Sequence, residues 1–71
     1  MLSFEFDQQS NAIQILCDEA GLDILVGALE RVRSEGHLHL RAPSAGGREL
    51  SDVTPFGVKA ISEVIITTGG D

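Results

Sequence analysis

Two histidines one residue apart, His37-Leu38-His39, are the pair in this chain whose types and spacing are best suited to chemistry. Alternate residues of an extended strand share a face, so both imidazoles would stand beside Arg41. Two imidazoles offer two zinc ligands, whereas a catalytic zinc takes three protein ligands and a structural zinc four. Asp7, Glu49 and Asp52 could join them only through folding, and nothing local brings them near. The pair therefore reads as hydrogen-bonding side chains on a sheet, and neither a metal nor a cofactor is expected. A general base needs an orienting partner and a pocket, and 71 residues leave little room for one.

The other chemical candidates are weaker. Ser44-Ala45-Gly46-Gly47-Arg48 is glycine-rich like a phosphate-binding loop, but the Walker pattern requires Lys followed by Ser or Thr and then a helix. Here Arg48-Glu49-Leu50 follows, with Pro55 soon after. The run reads as a flexible turn that permits positive φ at Gly46 and Gly47. Cys17 ends an apolar run and reads as a small buried hydrophobe. Being the only cysteine, it excludes an internal disulfide and suits a reducing compartment. The carboxylates decorate helix ends and turns, so paired acid-base chemistry finds no support. No catalytic role is expected of this chain.

Eleven acidic residues against five basic ones give a net charge of -6, the opposite of what phosphate contacts demand, so nucleic acid is not an expected partner. An acidic surface favours encounter with a basic protein. The apolar runs fall far short of the roughly 20 residues of a membrane span, and no signal peptide is visible. A cytoplasmic location without membrane association is expected. Only three aromatics are present, so the core must be aliphatic. A core this small supplies no more than about 3–5 kcal/mol, which makes self-association a reasonable expectation.

The elements that would position these residues can be read along the chain. Leu2, Phe4 and Phe6 alternate with polar neighbours, the mark of a half-buried strand. Residues 12–17 read as a second strand, joined to the first by a polar connector too short for anything but a hairpin. Asp18 is a favoured N-cap, Gly36 a favoured left-handed stop, and Leu22, Leu25, Val26, Leu29 and Val32 recur at helical spacing. A helix over 19–35 with that stripe inward is predicted. His37–Arg41 alternates as a third strand, 43–57 forms a long irregular stretch, and 59–67 forms a fourth strand. Residues 68–71 form a frayed tail.

The fold expected is α+β: one ββαββ domain over residues 1–71, with a four-stranded, mainly antiparallel sheet and one helix packed on one face. The uncovered face would carry Glu5, Gln14, Leu16, His37, His39, Arg41, Lys59, Ile61, Glu63 and Ile65. Leu16, Ile61 and Ile65 on that face would suit a homodimer contact.

Gly36-His37-Leu38-His39-Leu40-Arg41, followed by Gly46-Gly47-Arg48-Glu49-Leu50-Ser51, resembles the Imm32-type immunity proteins of bacterial polymorphic toxin systems. Those are small α+β proteins with a Gly-His-x-His-Leu strand leading into a Gly-Gly-x-x-Leu loop. Cys17-Asp18-Glu19-Ala20-Gly21-Leu22 also looks like their strand-to-helix junction. The match spans roughly residues 13–51. It departs at Ala45, where the family carries an aromatic, and in the closing strand, where Ser62-Glu63-Val64-Ile65-Ile66 replaces a pattern with His and aromatic residues. The resemblance implies an antidote that binds a cognate toxin domain and occludes it. The partner-binding residues would then be His37, His39 and Arg41 on the open face, with Ser44, Gly46, Gly47, Arg48 and Glu49 in the adjacent loop. The alternative is a self-associating module whose open face is a dimer interface.

Overall fold

In a computed structural model describing residues 1–69, the chain folds as ββαββ: β1 (Leu2–Asp7), β2 (Ala12–Cys17), α1 (Glu19–Glu35), β3 (His37–Arg41) and β4 (Glu63–Thr67), with a short 3-10 turn at Pro43–Ala45. The α+β class and the antiparallel pairing match the sequence reading. The four strands form two two-stranded sheets, β1–β2 and β3–β4, where one sheet was expected. The free edge of β1 is occupied by the long connection instead. Leu2 O accepts the Ser51 N–H at 2.8 Å and Phe4 O accepts the Ile61 N–H at 2.8 Å.

The β1–β2 turn is fixed by Asp7, whose carboxylate accepts from Gln9 N–H at 3.0 Å and from the Ser10 hydroxyl at 2.8 Å. Those two bonds, Ser10 first, hold its carboxyl below the ordinary aspartate range. The helix begins and ends as its capping residues dictate. Asp18 accepts the Gly21 N–H at 2.8 Å, and Gly36 closes the last turn at φ 82°.

The predicted helix stripe is rotated. Gly21, Ala28 and Val32 are buried with Leu25 partly covered, while Leu22, Val26 and Leu29 are each about half exposed. Close approach explains the rotation. A Cβ on Gly21 would lie 1.7 Å from Met1 O and 3.0 Å from Cys17 Cβ, so only the small-residue face lets the helix settle this near β1 and β2. That face closes on both sheets, over Leu2 and Phe4 of β1 and Leu38 and Leu40 of β3; Ala42 and Leu50 complete the core.

The fourth strand starts at Glu63, four residues later than expected, because Lys59 forms a separate bridge with Val53 around the turn Thr54–Gly57. Buried Thr54 organises that turn, its hydroxyl accepting from Phe56 and Val58 N–H. At the C-terminal end, Thr68 N–H donates to Gly36 O at 3.0 Å, tying the first residue of the expected tail. Gly70 and Asp71, assigned to the same tail, lie outside the described residues.

Candidate functional site

Pairing β3 with β4 sets His37 opposite Thr67, His39 opposite Ile65 and Arg41 opposite Glu63. The side chains of these six residues share one face, and Leu38 and Leu40 point the other way into the core. His37 and Arg41 are exposed and His39 is half-buried. The open-face placement expected of the histidine pair is what the structure contains.

These side chains are joined in a chain of hydrogen bonds. His39 Nδ1 lies 2.7 Å from Glu63 Oε2, and His37 Nε2 lies 2.8 Å from His39 Nε2. His37 Nδ1 lies 2.9 Å from Thr67 Oγ1, and Arg41 Nε–H donates to Glu63 Oε2 at 2.7 Å. An ionised carboxylate only accepts, so the hydrogen in the His39–Glu63 contact sits on the ring. In the arrangement with one hydrogen on each ring, His39 donates its Nδ1–H to Glu63 and its Nε2 accepts from His37 Nε2–H. His37 Nδ1 then accepts the Thr67 hydroxyl. With both rings neutral every contact is satisfied, and Arg41 Nη2, 3.3 Å from a His39 nitrogen already bearing hydrogen, is only a neighbour. The rings meet edge to face, with centroids 4.7 Å apart. The His39 bond, then Arg41, hold the Glu63 carboxyl below the usual glutamate range.

The adjoining loop folds against the Arg41 end of β3. A Cβ on Gly47 would fall 2.4 Å from both Cβ and the carbonyl oxygen of Arg41, so Gly47 is required for space. Positive φ occurs at Gly46 (85°) and not at Gly47, correcting the expectation that both adopt it. Glu49, expected among the partner-binding residues, turns its carboxylate back to accept the Arg41 N–H at 3.0 Å. Ser44 donates its hydroxyl to Asp52, whose carboxylate also takes the Ser44 N–H. Arg48 is exposed. Loop and strand are thus brought together at one end of the face.

Leu16, Ile61 and Ile65, expected to share one apolar face, are not gathered. Ile61 packs against the buried cluster, its N–H tied to β1, while half-buried Leu16 and exposed Ile65 belong to different sheets. Cys17, expected to be buried, is exposed, although its Cβ lies beside Gly21 of the helix. Glu63 and Thr67 were absent from the expected site. Alternation put Glu63 on the right face, but joining it to His39 required the strand register.

All four imidazole nitrogens are engaged in this chain of bonds, so a metal could bind the pair only by breaking it. Among the described residues, no group of three or more His, Cys, Asp or Glu side chains could hold one. Nor do those residues enclose a pocket, and none of their helices is long and apolar enough to cross a membrane. What fold and site define is a small α+β domain presenting an open, polar, pre-ordered sheet face. No protein-family model, curated protein or solved structure matches the chain.

Proposed function

We propose that this chain is a non-catalytic protein-binding module, an immunity-type inhibitor that docks on a cognate toxin domain through the outer face of β3–β4 and the adjoining loop. The observation that carries the reading is the bonded set His37, His39, Arg41, Glu63 and Thr67. Side chains already fixed in one geometry lose little entropy on docking, so a pre-ordered polar face binds better than a floppy one. The open surface suits a macromolecule more than a small ligand, which is usually bound in a cavity. The motif resemblance supplies the toxin as the partner, and a location in the cytoplasm follows from that role. The net charge of -6 favours a toxin surface that is basic.

The test is growth rescue. A toxin-type C-terminal domain encoded beside this chain should be lethal alone, tolerated when the chain is co-expressed, and retained by it on purification. Arg41→Ala should weaken the complex by about 2 kcal/mol if Arg41 sits centrally, as arginine hot spots do. Absence of such a domain from the neighbouring reading frame, or lethality unrelieved by the folded chain, rejects the reading.

A further inference from the structure

The hairpin has an edge that none of the described residues covers. Leu2 and Phe4 turn their carbonyls away from β2, toward Ser51 and Ile61. Their cross-strand partners Cys17 and Ile15 are therefore non-hydrogen-bonded pairs, as is Phe6 with Ile13. It follows that Ile13, Ile15 and Cys17 aim their N–H and C=O groups out of the sheet, and among the described residues none of these has a backbone partner. Their side chains share a face with Phe6 and are bare as well. Ile13 is 62% exposed, Ile15 50% and Phe6 49%.

Exposed edge strands are normally blunted by a charge, a proline or a bulge. Ala12-Ile13-Gln14-Ile15-Leu16-Cys17 has none of these. The chain also exposes 4929 Å², against about 4,300 Å² expected of a monomer of its 7.6 kDa mass. The chain as a whole thus exposes about 600 Å² more than a monomer of its mass is expected to.

The geometry points to a second copy of this chain as the occupant, with β2 pairing antiparallel to its own copy across a two-fold axis at Ile15. Ile15 then faces Ile15 of the second copy and Ile13 faces its Cys17, each pair exchanging two main-chain hydrogen bonds. The result is a continuous β1–β2–β2–β1 sheet in which the bare isoleucines cover one another. The register also keeps like charges apart, because Asp18 of one copy passes the uncharged Ala12 end of the other. The β3–β4 face is left free, so this pairing is independent of the proposed docking function.

Amide hydrogen exchange on the wild-type chain, read residue by residue across a concentration series, tests it directly. Gln14 and Leu16, bonded to β1, should be protected at every concentration. Ile13, Ile15 and Cys17 should exchange freely when dilute and become protected as sedimentation shows the dimer forming. Ile15→Lys should abolish the dimer while retaining the helical circular dichroism, and Ile65→Lys, on the other face, should leave it intact. A chain monomeric at all concentrations, free exchange at those three amides within a dimer, or a dimer lost with Ile65→Lys and kept with Ile15→Lys overturns the proposal. Should Ile15→Lys fail to fold, the exchange pattern of the wild type still decides.

Discussion

Glu63 holds the candidate site together, since its one carboxylate oxygen takes both the His39 ring and the Arg41 guanidinium. A carboxyl whose folded pKa is lowered contributes stability above its unfolded value and loses it as pH falls through the folded one. The Glu63 contribution is therefore complete at neutral pH and disappears on acidification into and below the ordinary carboxylate range. Carboxyl-detected NMR titration should find its midpoint below that of an unstructured glutamate, and Arg41→Ala should move it upward. An unchanged midpoint in that variant would mean the guanidinium is not seated as described. Ser3 offers a second test at this scale. Its hydroxyl is fully buried and has no hydrogen-bond partner among the described residues. An orphaned buried hydroxyl is a cost that Ala does not carry, so Ser3→Ala should raise stability by about 1 kcal/mol, or about 4–8 °C in Tm at this size. A lower Tm would show that Ser3 has a partner.

At the scale of the elements, two glycines of the same helix should respond oppositely to one substitution. Among the described residues nothing lies within 4 Å of the missing Cβ of Gly27, so Gly27→Ala should stabilise by about 1 kcal/mol through helix propensity alone. Gly21→Ala gains the same propensity but drives a methyl group into the Met1 carbonyl. It should destabilise by about 2 kcal/mol or more as the helix is pushed off the hairpin. Equal thermal shifts for the two would contradict the docking geometry. The pair also shows what the sequence could and could not tell. Asp18 and Gly36 announced the helix ends to the residue, because capping is local chemistry carried by single side chains. The buried face was misread because leucine spacing records hydrophobicity, whereas docking here depended on how near two backbones could come. The late start of β4 had a similar origin. Lys59 to Ile61 look like strand residues, and Ile61 does join a backbone pairing, but with β1. The same limit applied to His39 and Glu63, 24 residues apart in the chain, whose meeting depends on a register that sequence alone does not record.

For the molecule as a whole, charge opposes self-association and local chemistry favours it. Each copy carries -6, so two copies repel at long range, while the β2 edge has no charge to contribute. Salt screens the first effect and leaves main-chain bonding and isoleucine burial in place. Dimerisation by sedimentation should therefore tighten as ionic strength rises, and weakening with salt would point to an interface held by ion pairs instead. The separation of the sheets bears on the order of assembly. The hairpin and helix 1–35 need only near neighbours in the chain, but β3 meets β4 only after residues 42–62 have closed a loop between them. Loop closure is an entropic cost met before the pairing repays it. The histidine-bearing ribbon therefore carries the larger loop-closure cost, and a longer 42–62 connection would weaken the recognition face more than the hairpin.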